Sequence, residues 1–162
     1  MIIRIVVAAL MLALGLGVSK GATVRDAYAA LARHDEVAAA RIVLPLAQAG
    51  DAKAQTLLGF LFATGRGVPQ NFVEATYWYR SASEQGDPTG QYMLGLMYDK
   101  GHGVPQDYVL AYKWLNLAVA GANGRTRQDW VRIRDAVANK LSLAERTTAQ
   151  ALALEWQLQR GR

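Results

Sequence analysis

Cysteine is absent from the 162-residue chain, and histidine occurs only at His34 and His102. The first absence excludes disulfides, thiolate metal sites, cysteine nucleophiles and a lipid-modified N-terminal cysteine. The second leaves carboxylates as the remaining source of metal ligands, and the sequence gathers no such cluster, so neither metal nor cofactor is expected. Proline is scarce, with four residues. Charge is modest: 19% of residues are charged against 52% hydrophobic, a balance that excludes a disordered tail and allows a buried core. The length fits one domain or a short array of repeats, and long alanine and leucine stretches favour helix.

The chain starts with a short basic segment, Met1–Arg4, followed by an uncharged apolar run, Ile5–Val18, and the small residues of Ser19–Ala22. This is the layout of a secretory leader, with cleavage expected after Gly21. Fourteen residues of helix reach roughly 21 Å, short of a hydrocarbon layer of roughly 30 Å. No stable transmembrane span is therefore expected after cleavage, and the mature chain is expected to be periplasmic or secreted. An uncleaved leader would instead anchor it to the membrane. Beyond the leader, the excess of positive charge belongs to the segment from Arg125 onward, which has eight basic and four acidic residues.

Sliding the chain by 36 positions aligns Gly50–Gln85 with Gly86–Gly121 at fourteen identities, against two or three by chance at ordinary residue usage. Gln55, Leu58 and Gly59 pair with Gln91, Leu94 and Gly95. Gly65, Gly67, Val68, Pro69 and Gln70 pair with Gly101, Gly103, Val104, Pro105 and Gln106, and Trp78 pairs with Trp114. Each unit reads as two helices. Asp51 and Asp87 are N-caps of the first, Pro88 sits at a first helical position, and Asn71 and Asp107 cap the second. The paired glycines close the first helix. Gly59/Gly95 and Ala75/Ala111 are narrow points where helices approach closely. One such hairpin cannot cover both its faces, so successive units must stack.

The string Ala54-Gln55, Leu58-Gly59, Gly65-Arg66-Gly67-Val68-Pro69, Ala75, Trp78-Tyr79, Ala82 and Gln85-Gly86-Asp87 resembles the Sel1-like repeats, helical-hairpin relatives of tetratricopeptide repeats. It weakens at the end of the second unit, with Leu115 for the tyrosine and Ala120-Gly121 for the Gln-Gly. The resemblance implies an all-α, right-handed α-α superhelix. Segment 22–49 is expected to form capping helices of a degenerate unit, Val24–Arg33 and Glu36–Ala49, with Asp35 as a cap and a kink at Pro45. Segment 122–162 is expected to form a C-terminal helical cap, Thr126–Lys140 and Ser142–Gln159, opened by the capping box Ser142-x-x-Glu145. Trp130, Leu141, Leu154 or Trp156 would bury against the last repeat.

Catalytic chemistry is not legible. The Gly-x-Gly loops follow a helix and lack a third glycine, which is not a phosphate cradle. His102 and Arg66 occupy one repeat position, which reads as an exposed loop site. Past the leader, serine is limited to Ser81, Ser83 and Ser142, none in a nucleophile motif. Asp129 and Asp135 interrupt the basic stretch around Trp130, so no nucleic-acid partner is expected. The remaining function is binding. In tetratricopeptide-like stacks the first helices line the concave side, and the positions that vary between units are its candidate contacts: Thr56, Phe60, Tyr92, Met93 and Leu96. Leu57, Leu61 and Met97 read as core. The expectation is a non-enzymatic scaffold or adaptor for a protein or peptide of the bacterial envelope. The competing readings are an envelope hydrolase or modulator acting on peptidoglycan or β-lactam, and a membrane-anchored envelope protein.

Overall fold

The computed structural model describes residues 21–161. The leader expectation falls on residues 1–20 and lies outside the described residues. Within them the chain forms eight helices and no strand: α1 (Val24–Ala32), α2 (Glu36–Gln48), α3 (Ala52–Thr64), α4 (Phe72–Glu84), α5 (Pro88–Lys100), α6 (Tyr108–Gly121), α7 (Gly124–Ala138) and α8 (Leu143–Arg160).

The polar residues before the helices decide where they begin. Asp35, Asp51, Asp87 and Asp107 accept hydrogen bonds from the amides of Ala38, Ala54, Gly90 and Leu110 at 2.7–2.9 Å. Asn71 accepts from Val73 and Glu74 at 3.0 and 3.1 Å. Each such cap contributes about 1 kcal/mol. Ser142 and Glu145 form the reciprocal box at the start of α8. Gly65 and Gly101 end α3 and α5 in the left-handed conformation, with φ of 70° and 69°. Pro45 lies inside α2, and the helix continues through it to Gln48.

Packing runs along the chain. Each helix from α1 to α6 packs on its successor, and α3 also touches α5, the quasi-linear arrangement of a solenoid. Hairpins α1–α2, α3–α4 and α5–α6 are therefore stacked units. The small residues are narrow points, as their spacing predicts: a Cβ on Gly59 would lie 2.7 Å from the Tyr79 ring, and one on Gly95 2.7 Å from Leu115 Cγ. Leu58, Leu61, Leu94 and Leu115 are fully buried, each contributing about 1.5–3 kcal/mol.

The C-terminal cap packs against the last repeat as expected, and one expected contact, Leu154, departs from it. Helices α7 and α8 do not form a mutually packed pair; each packs on α6. Leu141 is buried and Trp130 and Trp156 are half-buried, whereas Leu154 points outward at 56% exposure. The cause sits at the preceding turn. Gly50 and Gly86 lead into the next unit with φ of 96° and 83°, a region that disfavours a residue with a side chain. Helix α6 runs through Gly121, so Gly121 stands in the place of Gln85 and Ala122 in the place of Gly86. Ala122 takes an extended conformation, φ −94° and ψ 155°, and the chain leaves the array on another course.

Candidate interaction surface

The loop between the two helices of a unit locks onto the preceding unit. A Cβ on Gly67 would sit 2.1 Å from the carbonyl oxygen of Glu36, the first residue of α2. Gly103 meets the carbonyl of Phe72, the first residue of α4, in the same way. The side chains beside these contacts are matched pairs. Arg66 Nε binds Glu36 Oε1 at 2.6 Å, and one unit later His102 stacks on Phe72 with ring centroids 4.4 Å apart. The His102 carbonyl also accepts a bond from Thr76 Oγ1 at 2.9 Å. His102 is exposed in its loop, and position 66/102 is exchanged together with its partner across the junction. At the third junction Lys140 takes the corresponding role, 4.7 Å from the centre of the Tyr108 ring. It also forms an ion pair with buried Asp99 at 2.5 Å. Burial alone would raise the Asp99 pKa, but hydrogen bonds from Lys140 and Lys100 outweigh it and hold the carboxyl below its ordinary value.

The five variable first-helix residues have three distinct environments. Thr56 is buried at 8% exposure, and its hydroxyl donates to Asp87 Oδ2 at 2.8 Å, tying α3 to the cap of α5. It is an interior strut and presents no side chain to a partner. Tyr92 is half-buried beneath Trp130 of α7; the rings are stacked at 4.7 Å with an interplanar angle of 9°. Burial, with a smaller effect from Asp129, raises the Tyr92 phenol pKa. Phe60, Met93 and Leu96 are half-buried, packed against the core on one side and open on the other. Leu57, Leu61 and Met97 are core residues.

The reading of variable repeat positions misses Tyr28 of α1. This side chain is 55% exposed, the most open aromatic of the first helices. Its phenol pKa is raised by partial burial and by the negative charge of Asp87, which brings Tyr28 into the neighbourhood of the Thr56–Asp87 bond. Tyr28 belongs to the degenerate unit, where the 36-residue comparison has no strong partner. The signal present in the sequence was an aromatic residue within the alanine-rich α1 segment.

A sequence profile of the Sel1 repeat matches residues 52–87 and 88–123, the segments that hold α3–α4 and α5–α6. These two segments are thus similar to Sel1 repeats. Its fold resembles the crystal structure of c5321, a protective antigen of uropathogenic Escherichia coli strains displaying an SLR fold, with TM-score 0.75 and 26% identity. That match covers 82% of this chain and 28% of the antigen. A Sel1 repeat protein from Oxalobacter formigenes matches with TM-score 0.58 and 30% identity, over 61% of this chain and 41% of the other. The chain thus spans well under half the length of either structure. No curated protein matches it.

Sel1 repeats typically mediate protein–protein interaction on a fold that is typically a non-catalytic scaffold. Among the described residues no three His, Cys, Asp or Glu side chains converge as metal ligands. No described helix is long and apolar enough to cross a membrane. The first helices offer a discontinuous run of Tyr28, Phe60, Met93 and Leu96, held on closely packed backbones. Such side chains recognise a polypeptide through buried area and adaptable packing.

Proposed function

We propose that the chain is an exported, non-enzymatic adaptor of the bacterial envelope that binds a protein or an extended peptide across its first helices. The reading rests on one observation above others: Phe60 and Leu96, at the same position of successive units, are half-open on a face whose neighbours Leu58, Leu61 and Leu94 are sealed. The exposed Tyr28 of α1 and the Tyr92–Trp130 stack supply further aromatic area among the first helices and α7 in support of this reading. The leader-like pattern of Met1–Ala22 supports export. The array is short, so the contact is a small one, suited to one arm of a larger assembly.

The test is affinity capture from the envelope fraction with the native chain and with the Phe60→Ala/Leu96→Ala variant. The variant is expected to lose the captured partner while its far-ultraviolet circular dichroism stays unchanged. Equal capture by both proteins rejects the first-helix surface. Intact mass of the exported form tests the leader separately, with loss of residues 1–21 as the expected result.

A further inference from the structure

Helix α8 buries one face and leaves the opposite face uncovered. Ala149 belongs to the buried cluster of Tyr112, Leu115 and Val137, and Ala153 to that of Trp114 and Leu117. Trp156 meets Trp114 edge-on, with ring centroids 5.9 Å apart. On the far side Ala144, Thr147, Ala151, Leu154 and Leu158 are all exposed, the two leucines at 56% and 59%. Their alternating spacing of three and four residues is the seam along which one helix packs on another. None of the five is charged, and the stripe runs for about four turns. Ala151, Leu154 and Leu158, with Glu155 and Gln159, border an open trough of about 360 Å³. A stripe of this spacing takes a helix as its occupant, not an extended strand.

The order of side-chain sizes along the stripe selects which helix. Small residues fill its N-terminal part, Ala144, Thr147 and Ala151, and leucines its C-terminal part, Leu154 and Leu158. The complementary helix carries leucines opposite the small residues and small residues opposite the leucines. A second α8 running in the opposite direction has that order. Leu154 of each copy then lies over Ala151 of the other, and Leu158 over Thr147. Parallel pairing sets leucine on leucine at one end and alanine on alanine at the other, and no single separation of two straight helices packs both ends. The residues beside the seam agree with the antiparallel order: Glu155 comes opposite Thr148, and Gln150 opposite Gln157, all exposed and with no like charges facing.

We propose that this chain self-associates through α8, two copies pairing antiparallel about a two-fold axis between positions 152 and 153. The contact is isologous and closed, so association stops at the dimer. One helix pair covers less than the roughly 1,200–2,000 Å² of a standard interface, so the dimer is weak and forms with rising concentration. It joins two first-helix surfaces in one assembly; where the binding reading above holds, a partner with two contacts is held more tightly by the pair than by one copy.

The absence of cysteine makes disulfide trapping of the full chain the direct test, because each introduced sulfur is the only one. Thr147→Cys and Leu158→Cys proteins are oxidised separately and as a mixture. The mixture is expected to give a dimer joined between positions 147 and 158, in at least about tenfold excess over the products of either protein alone. In antiparallel pairs the two copies of position 147 stand about 16 Å apart, beyond the roughly 7 Å that a disulfide spans between Cα atoms. Adding Leu154→Glu to both proteins places a carboxylate in the seam and should cut the mixed product about tenfold or more, with unchanged circular dichroism because residue 154 is exposed. Phe60→Ala should leave it unchanged, which separates α8 from the first-helix surface. No mixed product at millimolar protein, dominance of the 147–147 and 158–158 products, or a yield indifferent to Leu154→Glu overturns the proposal.

Discussion

The junctions between the first three hairpins and the attachment of the last two helices are built from different materials. At the inner junctions backbone meets backbone: Gly67 lies on the carbonyl of Glu36 and Gly103 on that of Phe72, while Gln55 and Gln91 bridge to the preceding helix. Helices α7 and α8 are attached largely through side chains, by the Tyr92–Trp130 and Trp114–Trp156 contacts and the Lys140–Asp99 pair. Close backbone approach dictates residue type narrowly, so the inner junctions repeat in sequence. Side-chain contacts admit many solutions, so the cap carries no repeat signature.

The sharpest way to break this contrast is to add one carbon at an inner junction. Gly67→Ala combines a φ of +70° with a Cβ inside contact distance of a carbonyl. It should cost about 3 kcal/mol or more in chemical denaturation. Gly59→Ala presses on the buried Tyr79 ring within a single hairpin and should cost about 2 kcal/mol by the same measurement. At the cap, Lys140→Ala removes a partner from Asp99, which is 5% exposed, and should cost about 1 kcal/mol. It should raise hydrogen exchange in α7 and α8 more than in α3 and α4.

The same pair predicts where pH acts. Asp99 has a lowered pKa, so its contribution is present above about pH 4 and is lost as pH falls below that value. Lys140 is shifted upward, chiefly by its hydrogen bond to Asp99. Its contribution is full below about pH 10.4 and fades as pH rises further. Tryptophan fluorescence of the cap should therefore change at both extremes in the native chain, and both changes should shrink in Lys140→Ala. The smallest effect is expected for Arg66→Ala, whose partner Glu36 is similarly part-exposed. A loss of a few tenths of a kcal/mol, diminishing with added salt, would match an exposed ion pair.

The middle of the fold was legible because its constraints are local or steric. The caps at Asp35, Asp51, Asn71, Asp87, Asp107 and Ser142 stand where the sequence places them, and Gly59 and Gly95 mark close approaches. What escaped the sequence were partnerships across units. Thr56 varies against Tyr92 because one bonds to Asp87 and the other lies under Trp130, so variation at that position reflects a changed neighbour rather than a changed ligand. Arg66 and His102 likewise differ together with their partners, Glu36 and Phe72. Helix α8 has a regular amphipathic pattern, yet that pattern names a buried face without naming the helix that covers it, and Leu154 fell on the open side.

The most direct measurement of the binding proposal is site-specific photo-crosslinking in the native envelope. A photoreactive residue is placed at Phe60 or Leu96 on the first helices and, for comparison, at Val73, which is 65% exposed at the start of α4. The account predicts one discrete polypeptide adduct shared by positions 60 and 96 and absent from position 73. Adducts formed equally at Val73, or none at Phe60 and Leu96, would contradict it.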